Sequence, residues 1–363
     1  MRIVMTGYTT PNSGVTGMGL GISKYTYNVA RELVGMGHDV TLYVRADYEP
    51  KEDWIKTVKT PTKVWLAYPT FLQKAVAHER ADVFHGDYIH TGMALLKANK
   101  HPLVVTVHDV IPFIEPHPLK DAFYVWLHKR RHMILQREAE ALIVQTGYMK
   151  KKTVETTRAD PSKVFYAFSG VDLDYYYPKT IAKKKGIIKI GYLGGIDGRK
   201  NAVLLVRAFA LLSKKYKNIE LHIGGSGRTL DALKALGVER AYFHGRIPQG
   251  KENDFLNALD IFVFPSLQEG FGLMQIEAMA AGLPVVGTTA CTSPELVDGA
   301  GLMAEPTPED VAAKVETLVN DETLRKSLGR KGRERARLFS WRKIAEGTLE
   351  IYKTVIERYA STT

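Results

Sequence analysis

Residues 261–288 read IFVFPSLQEGFGLMQIEAMAAGLPVVGT, and this stretch decides the fold. It begins with a short apolar run, passes through a glycine-containing turn into a second, helix-like apolar segment, and ends in another apolar run. Short apolar strands separated by helices are typical of a parallel sheet that is covered on both faces. Glu269 in the turn and Glu277 in the helix-like segment stand out, because glutamate is seldom buried without a partner. They indicate that this part of the fold holds something polar.

The same alternation of apolar runs and amphipathic segments extends along the chain in two series. In the first series we expect strands at 2–7, 39–45, 81–87, 102–109 and 141–146, and helices at 22–37 and 123–139. In the second series we expect strands at 187–194, 219–225, 241–247, 261–266 and 283–288, a helix at 202–216, and further helices between the later strands. Two successive doubly wound parallel sheets, an α/β architecture, are the simplest fit to this order.

The length of the chain also favours two domains, because 363 residues are more than one core usually serves. The stretch SGVDLDYYYPKTIAKKKG at 169–186 lacks either periodicity and suits an interdomain linker. We therefore expect an N-terminal domain at 1–178 and a C-terminal domain at 179–340. The long amphipathic helix that begins near Trp341 can pack on either domain.

The composition is that of a soluble globular protein, with 45% apolar and 25% charged residues. Cys291 is the only cysteine, so no internal disulfide is possible and a reducing compartment is the default expectation. The first apolar run is too short for a signal peptide. The sequence contains no run of about eighteen apolar residues, so no membrane span is predicted. We therefore expect a cytoplasmic protein.

Positive charge is concentrated in one region of the first half. The net charge is +11, and residues 120–163 alone hold 10 Lys and Arg against 5 Asp and Glu. This region is either a solvated surface or a patch that faces anionic lipid headgroups or phosphates. Phe123, Tyr124 and Trp126 lie within it and favour peripheral contact with an anionic membrane. Nucleic acid is a weaker expectation, because no recognisable binding module accompanies the charge.

The turn at 267–272 has the features of a ligand site. Ligands of open parallel sheets bind beyond the carboxyl ends of the strands, where this turn lies. Gly270 and Gly272 let a ligand approach the backbone, and the start of the following helix suits a phosphate. A carboxylate does not bind phosphate, but it accepts hydrogen bonds from sugar hydroxyls. A nucleotide sugar would use all of these features, whereas an ordinary surface turn followed by a helix remains the alternative.

The segment EGFGLMQIE at 269–277 resembles the E-x7-E signature of retaining glycosyltransferases with the GT-B fold, especially those of family 4. The resemblance extends through SPELVDG at 293–299 and recurs in order at GHDVTLY (37–43), VTVHD (105–109), VFYAFSGVDLDYY (164–176), LGGIDGRKN (193–201) and LHIGGSG (221–227). It implies two Rossmann-like domains that face a central cleft, with the first binding the acceptor and the second the donor. It also implies that the terminal helix, 341–363, crosses back to the first domain.

The resemblance assigns donor contacts to particular residues. Glu277 would bind the ribose, Glu269 the hydroxyls of the transferred sugar, and Ile247 the base. The backbone of Gly270, Phe271, Gly272 and Leu273 would meet the sugar and diphosphate. Gly17 and Gly19, in a glycine-rich loop near the N-terminus, would touch the donor phosphate and the acceptor. Taken alone, that loop does not exclude a dehydrogenase, although its glycine spacing is wrong for a dinucleotide fingerprint.

Cations and a histidine complete the expected catalytic centre. Lys200 matches the lysine that binds the diphosphate in the family, and Arg199 can supply further charge. Gly195 stands where many members carry an arginine. His108 matches the histidine that contacts the transferred sugar near the reaction centre, and Asp109 beside it has a weaker case. His85 and Asp87 also lie at a strand end, where acceptor contact is conceivable.

The expected reaction is therefore transfer of a hexose with retention of configuration. VTVHDVIPF (105–113) looks most like members that use GDP-mannose, and UDP-glucose is the next donor. The expected acceptor is lipid-linked or an oligosaccharide. We expect no cofactor and no metal, because the sequence has no Asp-x-Asp motif that precedes a fitting metal site and no Cys/His cluster. A GT-B epimerase, a phosphorylase and a non-catalytic nucleotide-sugar-binding protein remain as alternatives.

Overall fold

The computed structural model describes residues 1–8, 20–45, 50–59, 67–115, 119–182 and 184–362. The chain divides into an N-terminal unit, residues 1–169 with 341–363, and a C-terminal unit, residues 170–340. Residues 170–178, which the sequence places in the first domain, belong to the second. The reason is that Tyr175 donates a hydrogen bond to Glu252 Oε2 at 2.6 Å, and Arg333 donates to the carbonyl of Tyr176 at 2.7 Å.

The N-terminal unit is built on a parallel sheet. Its described strands and helices before residue 169 are, in chain order, β1 (Arg2–Thr6), α1 (Leu20–Gly35), β2 (Asp39–Val44), β3 (Ile55–Thr57), α2 (Tyr68–Ala75), β4 (Val83–Gly86), α3 (Ile89–Lys97), β5 (Leu103–Thr106), α4 (Ile111–Ile114), α5 (Ala122–Glu138), β6 (Ala141–Val144), α6 (Gly147–Thr157) and β7 (Val164–Tyr166). A short 3-10 helix at Leu119–Asp121 precedes α5. The sheet has the order β3-β2-β1-β4-β5-β6-β7. Because the strand order reverses between β1 and β4, their carboxyl ends open a crevice for a ligand.

The C-terminal unit repeats this plan. Its elements are β8 (Ile188–Leu193), α7 (Ala202–Lys215), β9 (Ile219–Gly224), α8 (Leu230–Lys234), β10 (Ala241–Gly245), α9 (Glu252–Asn257), β11 (Ile261–Phe264), α10 (Leu273–Ala280), β12 (Val285–Thr288), α11 (Ser293–Val297), β13 (Leu302–Ala304), α12 (Pro308–Asn320) and α13 (Glu322–Ala336), followed by a 3-10 helix at Arg337–Phe339. The parallel sheet has the order β10-β9-β8-β11-β12-β13. Its strand order reverses between β8 and β11.

The predicted fold class is confirmed, although most strands are shorter than the apolar runs that predicted them. The run 102–109, for example, forms a strand only from Leu103 to Thr106. Beyond Thr106 the chain leaves the sheet and carries His108 into a loop. Apolar character therefore continues past the strand because the strand ends are themselves buried.

The C-terminal helix, α14 (Trp341–Ala360), belongs to the N-terminal unit. It buries Ile344, Ala345, Thr348, Ile351, Tyr352 and Val355, the three-and-four spacing of one helix face. That face joins the core formed by β1, β2 and α1. None of the helices in the described parts of the chain combines the length and apolarity needed to cross a membrane.

We predict that Ile344→Ala destabilises the N-terminal unit by about 2–4 kcal/mol, because a buried isoleucine of α14 leaves a cavity against the sheet. All four tryptophans of the chain fall within the residue ranges of this unit, so tryptophan fluorescence during urea unfolding reports on it. Lys343→Ala, at an exposed neighbouring position, should leave the midpoint unchanged. Equal midpoints for both variants would contradict a packing role for α14.

Candidate active site

The turn after β11 is held in place by hydrogen bonds from neighbouring segments of the C-terminal unit. Thr288 at the end of β12 donates its hydroxyl to the carbonyl of Ser266 at 2.8 Å, and Thr292 donates to the carbonyl of Phe271 at 2.6 Å. The backbone N–H of Leu267 donates to the carbonyl of Arg199 at 2.9 Å. The turn is therefore fixed from both sides, at the point where β8 and β11 end.

Glu269 lies in this turn with only 8% of its surface exposed. Its carboxylate forms an ion pair with Lys200 Nζ, and its Oε2 lies 3.9 Å from Arg199 Nη1. The hydroxyl of Ser266 donates to Oε1 at 3.1 Å. Two cations thus face one buried carboxylate, and a second carboxylate, that of Asp197, lies with its Oδ1 3.9 Å from Arg199 Nε. The structure brings together Arg199, Lys200 and Glu269.

The glycine at the start of α10 is required by the backbone. Gly272 has φ +95°, and a Cβ there would lie 2.6 Å from Gln275 Nε2 and 3.0 Å from the Phe264 ring. No side chain caps the first turn of α10. The N–H groups at this helix start are therefore not taken by a side-chain cap, and the helix dipole gives the start a partial positive charge.

Glu277 is buried on α10, with 3% of its surface exposed. The hydroxyl of Tyr176 forms a side-chain hydrogen bond with it, and burial together with Glu277 raises the pKa of Tyr176. Arg333 on α13 donates to the carbonyls of both Tyr176 and Ala280, and so ties this tyrosine to the end of α10. The sequence analysis missed Tyr176 and Arg333, since it assigned the first to a linker and the second to no role.

The other residues that the sequence analysis expects to contact the nucleotide sugar lie after β8, after β10, and from the turn after β11 to the start of α10. The carbonyl of Gly195 accepts a hydrogen bond from Tyr192 at 2.7 Å. Ile247 lies close to Gly224, where an added Cβ would stand 2.9 Å from Ile247 Cγ1. The ring of Phe271 is buried and packs at 5.9 Å from that of Phe339. Gly270 is buried and Leu273 is half-buried.

In the N-terminal unit, His108 is held by two neighbouring strand ends. Its Nε2 donates to the Asp87 carbonyl at 2.8 Å and to Asp87 Oδ1 at 3.0 Å. Gln145, after β6, donates to its Nδ1 at 2.9 Å. Both ring nitrogens are thus hydrogen-bonded to groups of the protein. His108 can contribute by contact and orientation, and the sequence analysis missed the role of Gln145.

The pKa values of this pair follow from their burial. Burial alone would lower the pKa of His108, but the carboxylate of Asp87 raises it above its ordinary value. Burial raises the pKa of Asp87 to about 6, although His108 opposes the shift. The Asp87 carboxylate therefore stabilises the protonated form of His108 against the effect of burial.

The other expected residues have different surroundings. His85 lies in the core, with Nδ1 2.6 Å from the Tyr352 hydroxyl of α14 and Nε2 2.7 Å from Thr106 Oγ1. Burial and His108 lower its pKa to about 3, so it remains neutral and links β4 to α14. Asp109 accepts from the N–H of Ile111 at 3.1 Å, where α4 begins. Gly17 and Gly19 lie outside the described residues.

No metal centre is evident among the residues that the structure describes, since they contain no group of three or more His, Cys, Asp or Glu side chains placed to hold an ion. The positive charge near Glu269 comes instead from Lys200 and Arg199.

Two Rossmann-like units, each with polar residues at the strand-order reversal, define the chain as a GT-B glycosyltransferase. Residues 177–335 match the family model "Glycosyl transferases group 1", and residues 20–175 match "Glycosyltransferase Family 4". The two matches together cover most of the chain, which therefore belongs to the family 4-like glycosyltransferases.

Known relatives are similar over most of their length. A D-inositol 3-phosphate glycosyltransferase of Corynebacterium aurimucosum is 28% identical, over 97% of this chain and 96% of that protein. The O-antigen chain mannosyltransferase B of Escherichia coli is 25% identical, over 79% of this chain and 78% of that protein. The structure of sucrose-phosphate synthase from Thermosynechococcus elongatus superposes with a TM-score of 0.82 at 19% identity, covering 99% of this chain and 100% of that one. That likeness shows the fold.

We predict that Asp87→Asn lowers the pKa of His108 below its ordinary value of about 6.5, because burial then acts without the opposing carboxylate. In the unsubstituted protein the pKa should lie above that value. NMR titration of ¹³C-labelled histidine would measure both, with the His108 signal assigned from His108→Gln. His85 is an internal control that should stay neutral to pH 5 in each protein. A His108 pKa that does not change would contradict the contact.

Proposed function

We propose that the protein is a retaining hexosyltransferase whose C-terminal unit binds a nucleotide-sugar donor. One observation carries the proposal: a buried glutamate, Glu269, is flanked by Lys200 and Arg199 where the strand order of the sheet reverses. Within this cluster, Lys200 and Arg199 can bind an anion, and Glu269 can accept hydrogen bonds from hydroxyl groups. A sugar diphosphate presents the complementary pair of groups.

The site residues divide the donor between them. Lys200 and Arg199 bind the diphosphate, assisted by the uncapped start of α10 and the backbone from Gly270 to Leu273. Glu269 accepts hydrogen bonds from the hexose. Glu277, positioned by Tyr176, accepts them from the ribose. The base lies beside Ile247, near the ends of β8 and β9.

The reaction exchanges two bonds at the anomeric carbon. The bond from this carbon to the phosphate oxygen breaks, and its electron pair leaves with the diphosphate. The acceptor hydroxyl forms the new bond on the same face of the sugar and gives its proton to the leaving phosphate. Lys200 and Arg199 stabilise the charge that develops on that phosphate, so the reaction needs no metal ion. Because both nitrogens of His108 are engaged, it positions the sugar and does not act as the base.

The transferred sugar is mannose in this proposal, with glucose from UDP-glucose as the second candidate. Support comes from VTVHDVIPF at 105–113 and from the mannosyltransferase among the relatives. The acceptor is a saccharide or lipid-linked molecule bound by the N-terminal unit. The relative that acts on D-inositol 3-phosphate supports a polyhydroxylated acceptor. An epimerase would release free sugar without an acceptor, and a phosphorylase would require inorganic phosphate.

We predict that Glu277→Ala and Glu269→Gln have different effects. Glu277→Ala should weaken binding of the nucleoside diphosphate about tenfold or more, because the ribose loses a charged partner. Glu269→Gln should retain or tighten that binding, since Lys200 and Arg199 become free for phosphate. It should still reduce transfer about 10²–10³-fold, because the hexose loses its acceptor group.

Thermal shifts against UDP, GDP, ADP and their sugars measure the binding, because a ligand of the folded state raises its melting temperature. Transfer of labelled sugar in the presence of EDTA, with product NMR for the anomeric configuration, measures the reaction. Glu239→Gln, an exposed position in the same unit, is the matched control. Inverted product, or equal nucleotide binding by the two site variants, would overturn the assignment.

We also propose that α5 contacts anionic membrane. Leu119, Phe123 and Trp126 are 93%, 68% and 51% exposed, and the rings of Phe123 and Trp126 stack at 6.0 Å. The guanidinium of Arg130 lies 5.4 Å from the Trp126 ring. Exposed aromatic side chains interleaved with cations suit the headgroup region of a bilayer.

The Phe123→Ser/Trp126→Ser double variant should therefore lose most of its cosedimentation with anionic liposomes and retain its thermal shift with nucleotide. Leu211→Ser, at a leucine of the C-terminal unit that is 42% exposed, should bind as the parent does. Binding of the parent protein that does not depend on anionic lipid would remove this proposal.

A further inference from the structure

A second polar cluster lies at the same edge of the N-terminal sheet as His108. It consists of Tyr8, Tyr88, His90, Tyr124, His128 and Arg131, and we call it the Arg131 cluster. Tyr8 follows β1, Tyr88 follows β4, and their rings lie 5.7 Å apart. The ring of Tyr88 lies 5.6 Å from that of His128 on α5. The cluster therefore occupies the crevice where the strand order reverses.

Arg131 is the only charged member of this cluster near neutral pH. Burial, with a contribution from Arg131, lowers the pKa of His90 to about 3 and that of His128 to about 4. Burial raises the pKa of Tyr8 and Tyr124, so both stay protonated. Both histidines and all the tyrosines are thus neutral around the guanidinium.

No carboxylate compensates this cation among the described residues. Arg131 is half-buried, and its recorded hydrogen bond there is from Nη1 to His90 Nδ1, at 2.5 Å. Burial raises the pKa of Tyr88 and Tyr124, and Asp109 adds to both shifts. A cation that is partly removed from water is stabilised by an anion with which it can form several hydrogen bonds.

The cluster also holds donor groups that the described residues do not use. His128 is 1% exposed, and neither of its ring nitrogens has a hydrogen-bond partner among those residues. The buried hydroxyl of Tyr8 also has no hydrogen-bond partner among the described residues. Buried polar groups are normally satisfied, so each of these atoms points to a ligand. A guanidinium together with a hydroxyl and an imidazole N–H provides donors for a phosphate.

We propose that the Arg131 cluster binds a phosphate group of the acceptor, which makes the acceptor a phosphorylated polyol or sugar. The proposal rests on the proposed function, in which the N-terminal unit binds the acceptor, and it adds the class of acceptor. The ring of Tyr88 lies 6.4 Å from that of His108. The phosphate therefore anchors the acceptor beside the residue that we assign to the transferred sugar.

Binding of inorganic phosphate tests the subsite without any turnover. With the donor site filled by nucleoside diphosphate, phosphate should shift the NMR signals of His90 and His128. Arg131→Gln should weaken this binding about tenfold to hundredfold, since a hydrogen-bonded charge is lost. The phosphate affinity of Arg131→Lys should lie between those of the parent and Arg131→Gln, because lysine keeps the charge and lacks the planar guanidinium. Arg137→Gln, at an exposed position of the same helix, should bind as the parent does.

Paired acceptors test the role in transfer. A phosphorylated polyol or sugar, such as an inositol phosphate or hexose 6-phosphate, should be used with a higher kcat/KM than its unphosphorylated counterpart. Arg131→Gln should remove the preference mainly through KM, and its thermal shift with nucleoside diphosphate should equal the parent's. Phosphate binding without effect on the histidine signals, or a preference that survives Arg131→Gln, overturns the proposal. Phosphate binding in a protein that binds no nucleotide would instead refute the proposed function and leave the anion subsite standing.

Discussion

The pairing of buried Glu269 with Lys200 and Arg199 is the constraint on which the rest of the C-terminal unit depends. A carboxylate that is 8% exposed needs partners, because removing a lone charge from water costs several kcal/mol. The cations come from the loop after β8 and the carboxylate from the turn after β11. The hydrogen bond from Leu267 to the carbonyl of Arg199 joins the same two segments. The ion pairs and this backbone hydrogen bond therefore fix the loop after β8 against the turn after β11.

Glu269 and Glu277 have different partners, and this difference underlies the different tasks that we propose for them. Glu269 meets cations, so a ligand that brings a diphosphate can take over Lys200 and Arg199 and leave the carboxylate for hydroxyl groups. Glu277 meets the neutral hydroxyl of Tyr176, which orients the carboxylate without neutralising it. Glu269 with its two cations lies before the start of α10, and Glu277 with the Tyr176 hydroxyl lies within this helix. In the function that we propose, these two sites bind the phosphate and the ribose of one nucleotide sugar.

The sequence predicts the strands well because a strand buried on both faces must be apolar throughout, as in IFVF at 261–264. It places Glu269 and Lys200 in one catalytic centre through the family motifs, but it does not predict the ion pair between them. It fails for Tyr176, whose partner Glu277 is far along the chain, and whose Tyr-Tyr-Pro context reads as a linker. The domain boundary is misplaced for the same reason. Hydrogen bonds between distant segments, such as those of His108 with Asp87 and Gln145, leave no periodic pattern in a sequence.

The N-terminal unit limits the chemistry by what its residues already hold. In its neutral form, His108 donates through Nε2 and accepts through Nδ1, so both of its nitrogens are already hydrogen-bonded within the protein. His85 is similarly engaged by Tyr352 and Thr106. A base for the acceptor hydroxyl is therefore not supplied by either histidine. The oxygen of the leaving phosphate gains charge as its bond to the sugar breaks, so it becomes a better base as the reaction proceeds. In the reaction that we propose, Lys200 and Arg199 act on the leaving phosphate, which is also the group that accepts the proton.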